Sequence, residues 1–321
     1  MKAAIHTSYG PPEVLTIAEI EKPTPGDDEV LVRVRASSVN PAQWYGMTGL
    51  FIARIGGGFI KPKDPRLGSD YTGVVEAVGR NVKEYKPGDE VFGGRHGAFA
   101  DYICVRENIV PKPANISFEE AGGAATAAIT ALQGLRDHGR LQAGQKVLIN
   151  GASGGVGTFA VQIAKALDAE VTAVCSTGNV KLIRSLGADH VIDYTREDFT
   201  RNGERYDLLL DIAGSRSWRE YRRVLKSHGT LVVIGGPKSN RIIGPLGHII
   251  KLRIAAFRAS QKVIFFVAKF NRNDFMILKE MFENGKIRTV VERVYPLERI
   301  CEAMHHLGTG HAKGKIVVTM E

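Results

Sequence analysis

A glycine-rich turn between an apolar strand and a helix constrains this 321-residue chain more than any other feature. The apolar run 147–150 leads into the glycine-rich turn 151–157, and a helical stretch follows it. Glycines permit a sharp turn and a close approach of the backbone to phosphates, and the first N–H groups of a helix attract an anion. A second apolar strand, 171–175, follows where a Rossmann unit needs one. Although Ala152 replaces the first glycine of the usual fingerprint, we predict that a dinucleotide pyrophosphate binds at Ser153, Gly154, Gly155 and Val156.

The bulk composition is that of an ordinary globular protein, with 44% hydrophobic and 24% charged residues. Three scattered cysteines, Cys104, Cys175 and Cys301, indicate neither a disulfide framework nor a metal cluster. We find no signal peptide and no apolar run long enough to span a bilayer. We therefore expect a cytoplasmic protein with no membrane partner.

The formal charge of +9 could serve an anionic cofactor or nucleic acid. The densest basic run, 216–223, has the spacing of a helix that buries Trp218, Tyr221 and Leu225 and leaves its arginines in solvent. We therefore expect a structural helix there and no nucleic-acid partner.

The pattern of apolar residues changes along the chain. Short strands at 31–36, 73–79 and 90–93, separated by Gly and Pro, predict a small antiparallel barrel. From a capping-box start at Ser117, strands and helices then alternate, which predicts a parallel, doubly wound sheet. The predicted strands of this sheet are 147–150, 171–175, 190–192, 208–212 and 231–235, with an edge strand at 263–268, followed by a helix at 274–283, a helix beginning near Leu297 and a last strand at 315–319.

Several further motifs occur in a fixed order along nearly the whole chain. They are MKAA at 1–4, SVNPA at 38–42, LGSDYTGVV at 67–75, GAFADY at 97–102 and HAKGKIV at 311–317. Together they resemble the zinc-independent quinone oxidoreductases of the medium-chain dehydrogenase/reductase superfamily. The resemblance implies an α/β protein with a GroES-like β-barrel catalytic domain, 1–124 completed by 268–321, and a Rossmann domain with a doubly wound parallel sheet, 125–267. It also implies a homodimer.

The zinc-dependent relatives in that superfamily carry a Cys and a Gly-His-Glu where this chain has Asn40 and the run Gly68-Ser69-Asp70. Their four-Cys structural lobe is also missing. A catalytic zinc needs about three N or S ligands. We therefore expect no metal, and we interpret His305, His306 and His311 as solvated surface residues.

The resemblance implies a nicotinamide dinucleotide. NAD-selective sites place an acidic residue at the end of the second Rossmann strand, and residues 174–179 contain none. Ser176 can donate a hydrogen bond to a 2′-phosphate and Lys181 can supply charge, so NADPH is expected over NADH.

The resemblance implies further cofactor residues: Tyr194 near the same phosphate, Thr130 near the nicotinamide, and Lys315 at the cofactor site. Gly235 and Gly236 would let the backbone approach the nicotinamide half, and Phe265 either flanks its ring or is a buried edge-strand residue.

Two residues are candidates for catalysis because the resemblance aligns them with acceptor-site residues. Asn40 could donate a side-chain N–H to a developing oxyanion, and Tyr45 could donate its O–H or a proton. The alternatives are that Asn40 caps a turn and that Tyr45 only lines the acceptor site. The segment 242–257 is expected to shape that site.

We therefore expect an NADPH-dependent, zinc-independent oxidoreductase that transfers hydride to a small-molecule acceptor, either a quinone or the activated C=C bond of an enone or enal. One alternative is a 2-enoyl-thioester reductase. Another is a nucleotide-binding protein with an RNA-binding role, which the charge of +9 alone supports.

Overall fold

The computed structural model divides into two compact units, Met1–Ile129 with Phe270–Glu321, and Thr130–Lys269. It describes residues 1–214, 216–236 and 246–320, and of Ile52 the backbone alone. The first unit is therefore built from two separate segments of the chain, and the second from one continuous segment.

The first chain segment is mostly strands joined by short helices. A 3₁₀ turn at Pro12–Val14 separates its first two strands. The elements are β1 Lys2–His6, β2 Leu15–Glu19, β3 Val30–Ser38, α1 Pro41–Thr48, α2 Phe51–Gly57, β4 Asp70–Val78, β5 Glu90–Gly94, β6 Tyr102–Val105, β7 Ile109–Pro111, α3 Phe118–Gly122 and α4 Ala125–Gln133.

The rest of the chain alternates strands and helices before it returns to the first unit. A π-helix at Gly134–His138 continues α4. The remaining elements are β8 Lys146–Asn150, α5 Gly155–Ala166, β9 Glu170–Cys175, α6 Val180–Ser185, β10 His190–Asp193, β11 Tyr206–Asp211, α7 Trp218–Val224, β12 Leu225–Val233, α8 Leu246–Ala255, β13 Lys262–Phe265, α9 Arg272–Glu283, β14 Val291–Pro296, α10 Ile300–Gly308 and β15 Lys315–Thr319.

The first unit is organised around a sheet with the strand order β14-β15-β3-β4-β5-β7, in which β6 also pairs with β3. All pairs in this sheet are antiparallel except β14 with β15. Along β3, Val32 and Val34 are buried and Arg33 and Arg35 are exposed, so the predicted alternation is confirmed. The last strand pairs with β3, with Val317 opposite Ser38.

The second unit contains a six-stranded sheet with the order β10-β9-β8-β11-β12-β13, and every pair is parallel. The chain starts at the central strand β8, moves outward to β10, and then returns to β11 on the other side. This is the doubly wound order, and ligands bind such sheets at the carboxyl ends of the two strands where the order reverses. The predicted fold class is confirmed.

Some predicted element limits were wrong. The edge strand predicted at 263–268 is β13, which ends at Phe265 because its partner strand β12 ends at Val233, opposite Phe265. Phe266 then stacks on His138 with ring centroids 4.1 Å apart, and Val267 is exposed. The basic run 216–223 leads into α7, which buries Trp218 and Tyr221 as predicted, whereas Leu225 is buried at the first position of β12 and not on the helix. Within the described residues, no helix combines the length and apolar character needed to cross a membrane.

Candidate active site

The glycine-rich turn after β8 forms a cradle at the start of the twelve-residue helix α5. Gly151 has a φ of 88°, a left-handed conformation that favours glycine. A Cβ added to Gly157 would lie 2.2 Å from the Gly151 carbonyl oxygen, so only glycine fits there. A Cβ on Gly154 would meet only that oxygen, at 3.8 Å, so the space beside Gly154 is open.

This cradle fits a pyrophosphate. Gly154 is the N-cap of α5, and helix geometry leaves the N–H groups of Gly155, Val156 and Gly157 without intrahelical acceptors. Those N–H groups and the positive end of the helix dipole attract an anion. The half-buried Ser153 directly precedes Gly154. The four residues predicted to bind the pyrophosphate thus lie in one turn with open space beside it.

The residues predicted to bind a 2′-phosphate lie at the ends of two paired strands. Ser176 directly follows β9, and Tyr194 directly follows β10, where its N–H donates to the Cys175 carbonyl at 3.1 Å. Tyr194 is about half exposed, and Lys181 is exposed on α6. The structure therefore brings Ser176 and Tyr194 together through the β9–β10 pair.

Asp193, at the end of β10, is an acidic residue that the sequence reasoning missed. Its carboxylate accepts from the Thr177 hydroxyl at 2.6 Å and from the Thr195 hydroxyl at 2.7 Å, and Arg196 lies 3.5 Å away. The Thr177 hydrogen bond is the main reason why the pKa of Asp193 is lowered. The Arg196 guanidinium thus offsets part of the Asp193 charge. The sequence signal that could have found Asp193 is its place directly after the predicted strand 190–192.

The residues predicted near the nicotinamide lie in different parts of the second unit. Thr130 is half-buried on α4. A Cβ on Gly235 would lie 2.0 Å from the Ile212 carbonyl oxygen, so the chain just after β12 packs backbone to backbone on the end of β11. Gly236 follows it, and Phe265 is half-buried on the edge strand against the apolar core. Of the segment 242–257, residues 242–245 lie outside the described part of the chain, and the rest includes α8.

In the first unit, a buried polar cluster joins β3, β4, α4 and β15; we call it the Asp70 cluster, formed by Ser38, Asn40, Asp70, Thr126 and Lys315. Asp70 is fully buried and Lys315 is 3% exposed. One Asp70 oxygen accepts from the Ser38 hydroxyl and from Asn40 Nδ2 at 3.0 Å. The other accepts from the Thr126 N–H at 2.9 Å and from the Thr126 hydroxyl. These contacts satisfy a carboxylate that would otherwise be costly to bury.

Lys315 completes the Asp70 cluster. Its Nζ donates to Asn40 Oδ1 at 2.5 Å and lies 3.7 Å from an Asp70 oxygen. Burial lowers the pKa of Lys315, and the Asp70 carboxylate opposes that shift. Lys315 was predicted as a cofactor-site residue; the structure shows its side chain engaged inside the first unit.

The two catalytic candidates differ in their surroundings. Asn40 is the N-cap of α1 and is 3% exposed, and its Nδ2 lies within 3.3 Å of the Ser38 carbonyl, the Ser69 hydroxyl and Asp70. Tyr45 lies one turn later on α1 and is half-buried. Burial raises the pKa of Tyr45, so its hydroxyl stays protonated at neutral pH. Within the part of the chain that the structure describes, no group hydrogen-bonds to that hydroxyl.

No group of three or more His, Cys, Asp and Glu in the described ranges is arranged to hold a metal ion. The side chain of Ser69 instead contacts neutral groups. Its hydroxyl accepts from Gln43 Nε2 at 2.9 Å and lies 3.2 Å from the Thr126 hydroxyl.

Comparisons with known proteins agree with this architecture. Residues 26–114 match the family model described as the alcohol dehydrogenase GroES-like domain, and residues 186–318 match one described as zinc-binding dehydrogenase. The 2-methylene-furan-3-one reductase of Solanum lycopersicum is 33% identical over 99% of this chain and 79% of its own length. The chloroplastic NADPH-dependent alkenal/one oxidoreductase of Arabidopsis thaliana has the same identity and the same coverage of both chains.

A solved structure shows the same fold. The quinone oxidoreductase from Coxiella burnetii superposes with a TM-score of 0.87 and 27% identity, covering 100% of this chain and 99% of that one. The chain therefore belongs to the zinc-independent quinone oxidoreductase family of the medium-chain dehydrogenase/reductase superfamily, and it is an oxidoreductase.

Proposed function

We propose that this protein is an NADPH-dependent reductase of quinones or of the activated C=C bond of enones and enals. The observation that carries the proposal is the glycine cradle at the start of α5, in which Gly157 is sterically required and Gly154 has open space beside it. The names of the relatives, an alkenal/one oxidoreductase that is NADPH-dependent and a quinone oxidoreductase, support the same reading.

Support for NADPH over NADH comes from the ends of β9 and β10. Ser176 and the exposed Lys181 offer a donor and a positive charge to a 2′-phosphate, and Tyr194 lies on the adjoining strand end. The acidic residue nearby, Asp193, is already bonded by Thr177 and Thr195. The Arg196 guanidinium lies 3.5 Å from Asp193, so part of that negative charge is offset where a phosphate would bind.

When bound, the nicotinamide supplies a hydride. The protein then orients the acceptor and stabilises the negative charge that develops on its oxygen. We assign the donor role to the Tyr45 hydroxyl, because it is half-buried on α1 and no group within the described residues hydrogen-bonds to it. Asn40 could donate to an oxyanion only by giving up one of its contacts in the Asp70 cluster. We therefore propose that Asn40 positions Lys315 and the start of α1, while its predicted donor role stays a prediction.

The acceptor class can be determined from the rate of NADPH oxidation with four acceptors: a quinone, an enone, an enal and crotonyl-CoA. We expect turnover of the first three acceptors with NADPH and much weaker turnover with NADH. Preferred turnover of crotonyl-CoA would replace the proposal with the thioester reductase alternative. No turnover with any acceptor, together with salt-sensitive retention of RNA, would replace it with the binding-protein alternative.

The variant Gly154→Val tests the cradle itself. Its Cβ fits the fold, because the nearest atom is 3.8 Å away, but the rest of the side chain enters the space proposed for the pyrophosphate. We expect NADPH affinity to fall by about a hundredfold, roughly the loss of two charge-assisted hydrogen bonds. An unchanged melting temperature shows that the fold is intact, and unchanged NADPH affinity would contradict the proposed site.

We further propose a homodimer, a cytoplasmic location, and functional domains at 1–124 with 268–321 and at 125–267. The free cysteines Cys104, Cys175 and Cys301 support a reducing compartment. Light scattering tests the homodimer, and cell fractionation tests the cytoplasmic location. Expression of residues 125–267 alone tests the domain limits.

A further inference from the structure

Helix α8 has an apolar face that packs on the core of the second unit. Ile249, Leu252 and Ala256 are at most 9% exposed and recur at the spacing i, i+3, i+7. They belong to the apolar cluster that also packs against β13. Burial of this face explains why α8 packs against the second unit.

The same helix carries a second apolar face that contacts solvent. Ile250, Ile254 and Phe257 are 52%, 72% and 86% exposed and recur at i, i+4, i+7. The helical turn continues to Phe257, because its N–H donates to the Ile254 carbonyl at 3.2 Å. Single exposed apolar residues are normal on a protein surface, but three large ones on one helical face mark an interaction site. We call these three residues the exposed stripe.

Basic residues flank the exposed stripe on both sides. At about 100° per residue, Lys251 and Arg258 lie to one side of it and Arg253 to the other, and all three are exposed. The charge of the surrounding chain has the same sign. Between Glu220 and Asp274 the sequence has eleven Lys or Arg residues and no Asp or Glu, in a chain of net charge +9.

We propose that the exposed stripe binds the surface of a membrane that contains anionic lipids. Apolar side chains on one helical face with Lys and Arg beside them are the features of a helix that lies in the bilayer interface. Anionic headgroups would pair with Lys251, Arg253 and Arg258 while the stripe enters the acyl boundary. A second copy of the chain would instead bring like charges together, and nucleic acid would leave the stripe in water.

This proposal departs from the expectation of no membrane partner, which rested on the lack of a long apolar run. A helix that lies on the membrane needs no such run. Its signal is an exposed apolar face, and the sequence of α8 does not distinguish that face from the buried one.

The test is co-sedimentation of the full-length protein with phosphatidylcholine vesicles, with and without 30% phosphatidylglycerol. We expect binding to the anionic vesicles only, and loss of that binding at high salt. Equal binding to both kinds of vesicle, or to neither, would overturn the proposal.

Two double variants test the residues. Lys251→Gln with Arg258→Gln should weaken vesicle binding on the order of thirtyfold, because each of the two basic residues contributes roughly fivefold. Ile254→Gln with Phe257→Gln should weaken it at least about tenfold. The matched controls, Lys83→Gln with Lys86→Gln and Met276→Gln, change exposed residues of the first unit and should leave binding unchanged.

NADPH affinity and the circular dichroism melt report whether each variant is folded. If the Ile254 and Phe257 variant retains full vesicle binding but changes from dimer to monomer, the stripe is an interface between two copies and the membrane proposal is wrong.

Discussion

Asn40 and Tyr45 are five residues apart in the chain, yet they differ in whether a hydrogen-bond donor remains available to bind the electron acceptor. The Asn40 amide accepts from Lys315 through Oδ1 and donates within the Asp70 cluster through Nδ2. The Tyr45 hydroxyl has no such partner within the described residues. Since each amide N–H makes one good hydrogen bond, a free hydroxyl is the better source of a new one.

The first prediction concerns Tyr45→Phe. The change keeps the ring and removes the donor, so kcat with quinones and enones should fall at least about tenfold, because general acid assistance contributes roughly 10²–10⁴-fold. NADPH affinity should hold. Because burial raises the pKa of Tyr45, the native enzyme should show no loss through this group below about pH 10.

The control for that prediction is Tyr85→Phe, which removes a hydroxyl that donates to the Ile109 carbonyl at 2.8 Å in the same unit. It should change stability and leave kcat near the native value. If Tyr45→Phe leaves kcat unchanged for every acceptor, Tyr45 only lines the acceptor site.

The second prediction concerns Lys181→Ala. Loss of one charge-assisted contact to a phosphate weakens binding by about 1.5–3 kcal/mol. Titration calorimetry should therefore show roughly tenfold or greater weakening for NADPH and almost none for NADH. Arg184→Ala, one turn further along α6 and also exposed, is the matched control and should have a much smaller effect. Equal affinity of the native protein for both cofactors would contradict the assigned 2′-phosphate site.

At the scale of elements, the Asp70 cluster ties together parts of the chain that are far apart in sequence. The hydrogen bond between Lys315 and Asn40 joins residues 275 positions apart. Asp70 lies on β4 and Lys315 at the first position of β15. The cluster therefore holds the last strand against the start of α1 as well as contributing to the sheet.

The third prediction is a double-mutant cycle in this cluster. Lys315→Met removes the buried ammonium and leaves the Asp70 charge without its counter-charge, which should destabilise the fold by about 3–5 kcal/mol. Adding Asp70→Asn removes that charge and should recover part of the loss. Urea unfolding measures both free energies. Strictly additive effects would show that the two charges do not interact.

The sequence predicted elements whose cause is local. The alternation in β3, the cap of α3 at Ser117 and the glycine cradle depend on neighbouring residues, and the structure has all three. It did not predict the Asp70–Lys315 pair, because that pair depends on how β15 enters the sheet. Nor did it predict the end of β13, because that depends on where the neighbouring strand β12 ends.

At the scale of the whole molecule, the fourth prediction concerns metal. The positions where zinc-dependent relatives have ligands hold Asn40 and Ser69, whose side chains bond to other protein groups. We expect elemental analysis of the purified protein to find no stoichiometric zinc, and chelator treatment to leave reductase activity intact. One tightly held zinc per chain, with activity lost on its removal, would contradict the assignment of these positions.

The division of the chain also fixes an order of assembly during synthesis. Residues 130–269 leave the ribosome as one block and contain every strand of their sheet. In the other unit, the pairing of β3 is incomplete until β15 has been synthesised, because Val317 of β15 pairs with Ser38 of β3. At roughly 5–20 residues per second, the fifty residues from 270 to 319 take about 3–10 seconds to make. The unit that begins first is thus completed last, and until then the Ala36–Ser38 end of β3 exposes an unpaired edge that a chaperone could shield.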